Sequence, residues 1–304
     1  MTSSNIPNWL DLHYGSSQRG SMGKEAMIWK ISSVPDAELE RIDGNAPAAS
    51  LDEAAKQIPG GAYTTFRTFN RYQVIRIQDH FDRLEQTARL AGFPLTVNRE
   101  CLLSALHRAI SEYDAKEMRV RITLDLEQTP GTIYLTIEPL HVPDPQKYLT
   151  GVKVVTRRLH RQNPKAKLTG FIEIASDIRN RLPEDVNEAI MVGDDQTLLE
   201  GLSSNFFAVI QGEVWTADQG VLSGLTRSSV IQIIKELHIP LHLEALPVAR
   251  IPELEEAFIT SASRAVLPVV NMDGKDVGGG KPGEITRKLI EAYQSNVIRN
   301  LDTL

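Results

Sequence analysis

Apolar positions recur along this chain with two periods, and the switches between them mark its elements. Runs of β-branched and aromatic residues predict strands at Met27 to Ile31, Tyr63 to Phe69 and Tyr72 to Ile77, the last two joined as a hairpin around Asn70-Arg71. From Gln78 the period lengthens. Phe81, Leu84, Ala88, Leu90 and Ala91 form a helical face that ends at Gly92, and Leu102, Leu103, Leu106 and Ile110 predict a second helix over Asn98 to Tyr113. Strands at Arg119 to Leu126 and Thr132 to Ile137 follow, joined by the turn Thr129-Pro130-Gly131.

Pro143 to Gly151, with two prolines and a glycine, reads as a linker between two domains. Beyond it the pattern predicts a strand at Val152 to Thr156, a helix from Lys167 to Arg181, and strands at Glu188 to Val192, Phe206 to Ile210 and Val214 to Ala217. A helix over Ser228 to Leu237, strands at Phe258 to Ser261 and Leu267 to Met272, and a closing helix from Gly283 to Arg299 complete the order. Strands in hairpins with helices between them predict an α+β fold, with domains at 27–142 and 152–304 joined by 143–151. The polar segment 1–26, rich in Ser, Asn and Gly, is expected to be a flexible tail.

Composition narrows the function classes. Across 304 residues the chain is 41% hydrophobic and 24% charged, the balance of a globular protein with enough length for two cores. A formal net charge of −6 and the absence of Lys/Arg runs argue against nucleic acid as the main partner. No apolar run approaches the ~18 residues of a membrane span, and no signal peptide is visible, so the cytoplasm is the expected compartment. Cys101, the single cysteine, offers no disulfide or cysteine metal cluster and is expected to be buried packing.

Four features carry candidate chemistry. Lys167 follows the polar loop Asn163-Pro164-Lys165-Ala166. Glu200 sits at a bend of small residues, Gly201-Leu202-Ser203-Ser204-Asn205, between two apolar runs; it is either a solvated acid on a hairpin or a carboxylate placed to hold one buried positive charge. Gly224-Leu225-Thr226-Arg227 offers unpaired N–H groups and a hydroxyl at a helix start, which suits a phosphate. Ser261-Ala262-Ser263 is a second hydroxyl-bearing turn at a strand end. A lysine, an acid and two anion-cradling turns are the parts needed to hold pyridoxal phosphate.

In their order and spacing these features resemble the fold-type IV pyridoxal-phosphate enzymes, the class IV aminotransferases. The shared marks are Asp82-Arg83-Leu84, a lysine ahead of Asn187-Glu188-Ala189-Ile190, Glu200-Gly201 with Ser204-Asn205-Phe206, Gly224-Leu225-Thr226-Arg227, Phe258-Ile259-Thr260-Ser261, Asp273-Gly274 and Pro282-Gly283. The resemblance runs from about Met27 to the C-terminus. It implies a smaller N-terminal α/β domain, a larger C-terminal domain with a barrel-like sheet, a homodimer, and pyridoxal 5'-phosphate as cofactor.

It also implies roles. Lys167 would attach to the cofactor and shuttle a proton, with Lys165 as the local competitor. Glu200 would pair with the ring nitrogen, and Asn205 either orients that acid or holds the turn. Arg83 would bind the phosphate with Leu225, Thr226, Ser261 and Ala262, the alternative for Arg83 being an ion pair with Asp82 or Glu85 on its own helix. Ser203 and Ser204 would line the cofactor. On the substrate side Tyr63, Arg67 and Arg121 are the candidates, Arg121 sharing one strand face with Arg119. Two departures bear on specificity. The loop after Arg119 to Leu126 lacks both the Arg-Pro pair of branched-chain enzymes and the Arg-x-His of D-amino acid enzymes, and Phe171 and Ile172 stand where branched-chain enzymes place a tyrosine. The implied activity is ping-pong transamination between small amino acids and 2-oxo acids. A lyase that eliminates pyruvate and a non-catalytic binding protein are the competing readings.

Overall fold

The computed structural model describes residues 25–31, 38–42 and 47–304. In chain order its first half holds strands β1 (Met27–Ile31) and β2 (Leu39–Ile42), helix α1 (Leu51–Ala54), strands β3 (Gly61–Arg67) and β4 (Gln73–Ile75), helices α2 (Ile77–Leu90) and α3 (Arg99–Glu112), and strands β5 (Met118–Asp125) and β6 (Ile133–Pro139). Five of these strands form an antiparallel sheet in the order β2-β1-β6-β5-β3. Phe81, Leu84 and Ala88 of α2 and Leu102, Leu106 and Ile110 of α3 pack with Trp29, Val120, Ile122 and Leu135 of the sheet. Each such large side chain contributes roughly 1.5–3 kcal/mol of burial, so the helical stripes anchor α2 firmly. That anchoring positions Arg83.

The second half runs through helix α4 (Gln146–Thr150), β7 (Val152–Arg158), α5 (Gly170–Asn180), β8 (Val186–Val192), β9 (Thr197–Gly201), β10 (Asn205–Ile210), β11 (Glu213–Trp215), α6 (Leu225–Glu236), β12 (Leu241–His242), β13 (Leu246–Pro247), β14 (Glu256–Ser261), β15 (Ala265–Met272), β16 (Lys275–Asp276), α7 (Glu284–Arg299) and β17 (Leu301–Thr303). Its main sheet closes on itself. The strands β10, β14, β15, β7, β8 and β9 follow one another, and β9 pairs back with β10 through Glu200 and Asn205. Apolar residues of this ring, Val154, Ile190, Phe206, Ile259 and Leu267 among them, form one core; α6 and α7 pack over Phe207 and Phe258 in another. The α+β class and the barrel-like sheet are those expected from the sequence.

Several local expectations are corrected. The segments Tyr63 to Phe69 and Tyr72 to Ile77 do not form a hairpin beyond a single bridge, Phe69 to Gln73. One edge of β3 is taken by β5 along its whole length, and the other receives the Lys167 to Thr169 segment, with Tyr63 N–H donating to the Lys167 carbonyl at 2.9 Å and Thr169 N–H to that of Gly61 at 3.0 Å. Asn70 and Arg71, both left-handed (φ 45° and 71°), turn the chain away, and β4 pairs instead with the C-terminal β17. The same bonds hold residues 167–169 out of a helix, so α5 starts at Gly170 rather than Lys167. Cys101 is half-buried. A short helix, α4, occupies the segment read as a linker. Of the expected tail only residues 25 and 26 are described, and Ala26 pairs with Ala48; the rest lies outside the described residues.

Candidate active site

One cavity gathers side chains from both halves, and Lys167, Glu200, Arg83, Tyr63 and Thr226 all line it. Lys167 stands in the extended stretch that bridges to β3. Its amine lies 4.6 Å from the centre of the Tyr63 ring. Burial pushes the Lys167 amine below its ordinary range; Tyr63 opposes this, and Arg161 and Arg83 add to it. Lys165, by contrast, donates to the Asp218 carbonyl at 2.5 Å and is absent from the cavity wall. The geometry thus separates the two lysines.

Glu200 is 2% exposed and holds three donors. Arg161 Nε donates to Oε1 at 2.9 Å, while Asn205 Nδ2 and Leu222 N–H donate to Oε2 at 3.0 and 3.1 Å. A carboxylate offers about four lone-pair sites, so capacity remains for one more donor such as a ring N–H. Burial raises the Glu200 carboxyl to about 7, with Arg161 and Leu222 N–H pulling against that rise. Asn205 also donates to the Leu222 carbonyl at 2.8 Å, so it both orients the acid and holds the neighbouring turn.

Arg83 ignores the acids on its own helix. Asp82 and Glu85 pair with Arg99, and Arg83 reaches across to the Ser223 carbonyl beside the start of α6. There Gly224, Leu225 and Thr226 line the cavity, and no side chain caps the helix. A Cβ on Gly224 would fall 2.1 Å from Asn205 Oδ1, so only glycine lets this helix start approach the acid's partner so closely. An arginine beside an uncapped helix N-terminus suits a phosphate. Together with the buried amine and the acceptor left on Glu200, these residues fit pyridoxal phosphate.

Ser203, Ser204, Ser261 and Ala262 also line the cavity. Arg264 binds the two turns together: its Nε donates to Ser261 Oγ at 3.1 Å, and its Nη2 reaches Ser203 Oγ at 2.9 Å and the buried Glu188 at 2.8 Å. Burial raises the Glu188 carboxyl, but Arg264, Arg179 and the Ser203 hydroxyl outweigh it and leave it lowered.

The substrate-side candidates are placed differently from one another. Tyr63 is buried beside Lys167 and Arg121, whose guanidinium lies 5.1 Å from the ring centre. Arg67 lines the cavity with its guanidinium ion-paired to Glu117 and 4.3 Å over Phe69. Arg121 is held by Asp52 at 2.7 Å and by the Leu51 carbonyl at 2.8 Å.

From the sequence, Leu159-His160-Arg161-Gln162 is a candidate pocket wall with no firm role; Arg161 does line the cavity, grips Glu200 and stacks 3.8 Å over Phe171. Asp52, Arg179, His80 and Tyr293 belong to none of the motifs, and all line the cavity. No local signal could have found them, because each arrives from a different element. The nearest hint is the Phe171 that stands in place of a tyrosine: an arginine can stack on either ring.

Comparison with known proteins adds the family context. The profile of the family Amino-transferase class IV matches residues 61–272, more than half of the chain. The Thermotoga maritima protein named "Probable branched-chain-amino-acid aminotransferase" is 29% identical over 250 residues, covering 80% of this chain and 88% of that protein. The D-alanine aminotransferase of Bacillus licheniformis is 25% identical, covering 83% and 92%. Among solved structures, one from Thermotoga maritima superposes with a TM-score of 0.74 at 28% identity, covering 90% of this chain and 96% of that one. A T.th. branched-chain amino acid aminotransferase solved with pyridoxamine 5'-phosphate gives a TM-score of 0.75 at 18% identity, covering 93% and 99%, and shows the shared fold.

Proposed function

The chain belongs to the class IV aminotransferases and is a pyridoxal-phosphate-dependent transaminase, and we propose that it exchanges the amino group of a small amino acid with a 2-oxo acid through Lys167. The observation that carries this reading is the convergence of a buried amine, a buried carboxylate with acceptor capacity to spare, and an arginine at an uncapped helix start in one cavity. Pyridoxal 5'-phosphate, when bound, supplies the electron sink that makes the substrate's α-proton removable.

The chain's own residues do the rest. Arg83, the N–H groups of Leu225 and Thr226, and the turn at Ser261 and Ala262 would hold the phosphate. Glu200, oriented by Asn205 and Arg161, would accept from the ring nitrogen and favour its protonated form. Ser203 and Ser204 shape the wall beside it. The Lys167 amine, kept neutral more readily by burial, would move the proton from the substrate's Cα to the cofactor's C4′ in one half-reaction and back from C4′ to Cα in the other. Tyr63 packs beside that amine and limits water, and Arg67 and Arg121 set the charge of the substrate side. Replacing Lys167 tests the reading: Lys167→Ala should lose roughly 10²–10⁴-fold of turnover and should no longer retain cofactor mass after borohydride reduction. Mass retained in that variant, located by peptide mapping at Lys165, would transfer the role.

Two further proposals concern assembly, which follows the family reading, and compartment, which follows the sequence. We take the working form to be a homodimer in the cytoplasm; sedimentation velocity tests the first, and cell fractionation the second. Among the described residues no helix is long and apolar enough to cross a membrane.

A further inference from the structure

Most guanidinium groups in the cavity wall have a partner of their own. Arg67 pairs with Glu117, Arg76 with Asp79, Arg119 with Glu138 and Arg161 with Glu200. Arg121 and Arg179 are different, because they share a single acid. Asp52 Oδ1 accepts from Arg121 Nη2 at 2.7 Å, and its Oδ2 accepts from Arg179 Nη1 at 3.1 Å. The three groups line the same cavity as Lys167, and the Arg121 guanidinium and the Lys167 amine lie 5.1 and 4.6 Å from the centre of one ring, that of Tyr63. Arg121 is 3% exposed, and its Nε has no hydrogen-bond partner. Burial works against ionisation of Asp52, but the nearby arginines outweigh it and hold its carboxyl below the usual range.

We propose that Asp52 is a specificity-determining residue: its carboxylate occupies the face of Arg121 and Arg179 that a second substrate carboxylate would take, so the enzyme favours acids with one carboxylate over those with two. Two guanidinium groups and one fixed carboxylate leave a single net positive charge on this wall. A monocarboxylate need bring no charge against Asp52; the second carboxylate of a dicarboxylate meets it and must displace it from the two guanidinium groups. The acid is held in place from its own segment. Ser50 Oγ accepts from Glu53 N–H at 3.2 Å, Leu51 N–H donates to Glu138 at 2.7 Å, and the Leu51 carbonyl accepts from Arg121. Arg121 belongs to the first half and Arg179 to α5 of the second, so Asp52 also bridges the halves at the pocket.

This inference rests on the transaminase reading, and its test keeps the two apart. Wild-type and Asp52→Asn enzymes, loaded with cofactor, are compared on pyruvate and 2-oxoglutarate, and the unreactive acids butyrate and glutarate are titrated by calorimetry. In Asp52→Asn the ratio of kcat/KM for 2-oxoglutarate over pyruvate should rise about tenfold, and glutarate should tighten by a similar factor, as expected when a desolvated like-charge clash is removed. Butyrate affinity should stay within about twofold, and Asp52→Glu should restore the wild-type preference. Asp52→Ala replaces the amide variant if that variant does not fold. A ratio that moves less than twofold, or butyrate tightening as much as glutarate, overturns the proposal. So does a wild-type protein that binds glutarate more tightly than butyrate. If neither oxo acid accepts an amino group, the transaminase reading fails, and the butyrate–glutarate comparison still decides the role of Asp52.

Discussion

At the scale of single residues, the cavity sets opposite protonation biases on neighbouring groups by one cause. Burial penalises charge on Glu200, Lys167 and His80 alike, raising the acid to about 7 and lowering the two bases. His80 is held to about 3, first by burial and then by Arg83 and Lys167, with its Nδ1 2.7 Å from Thr64 Oγ1. The consequences for stability have opposite signs. The unfolded chain protonates His80 below about 6.5 while the folded one does not, so this stability is present above that pH and is lost as pH falls toward 3. Glu200 does the reverse: the folded cofactor-free protein keeps its proton between 4.5 and about 7 while the unfolded chain has released it, so stability falls as pH rises through that window. His80→Asn should therefore remove about 2 kcal/mol of destabilisation at pH 5 relative to pH 7. Denaturant melts of both proteins at the two pH values check this; parallel pH profiles would show that His80 is not held neutral.

At the scale of elements, the meeting of β9, β10 and the start of α6 governs the site. Glu200 and Asn205 are direct partners across the two strands, and Asn205 carries the contact on to the Leu222 carbonyl beneath the helix start. Gly224 makes that approach possible. A methyl group there falls 2.1 Å from Asn205 Oδ1, so the amide must leave the position in which its nitrogen bonds Glu200 and the Leu222 carbonyl. Gly224→Ala should cost roughly 1–3 kcal/mol and weaken cofactor binding together with stability. Thermal melts with and without pyridoxal phosphate should show a lower Tm and a smaller shift on addition of cofactor; an unchanged shift would free this contact from any part in binding. The stretch before α5 follows the same logic. Lys167 leaves the helical pattern because the free edge of β3 takes its backbone, and that exchange directs its amine toward Tyr63.

At the scale of the whole molecule, the two halves meet at the cavity and again at the C-terminus. Strand β17 pairs with β4, and Asp302 Oδ2 accepts from Ile77 N–H at 2.8 Å at the start of α2, the helix that carries Arg83. Arg76, which precedes that helix, is left-handed (φ 51°) and offers it no side-chain cap, so the cap comes from more than two hundred residues away. Loss of a capping acid typically costs ~1 kcal/mol. Asp302→Ala should lower stability by about that amount, less than deleting residues 301–304, which removes the same bond together with the β17–β4 pairing. Melting midpoints of the two variants check this; a loss in Asp302→Ala as large as that of the deletion would show that the strand pairing adds nothing to the cap.

The sequence by itself determined the longer helices and most of the longer strands, the α+β class and the family resemblance, because amphipathic periods, turn residues and short motifs are local properties. It did not mark the short β2, α4, β12, β13, β16 and β17. Phe81, Leu84 and Ala88 declare a helix face in any context, and Glu200-Gly201 with Ser204-Asn205 or Gly224-Leu225-Thr226 keep their spacing wherever they fold. The tertiary structure alone decided which strand β3 pairs with, where α5 begins, that Arg161 grips Glu200, and that Asp52 sits on Arg121 and Arg179. The physical reason is the same for each. Strand edges and buried charges must find partners, and the partners come from whichever segment packing brings near: Lys167 to Thr169 for β3, Leu301 to Thr303 for β4, and one aspartate for two arginines more than fifty residues apart in the chain.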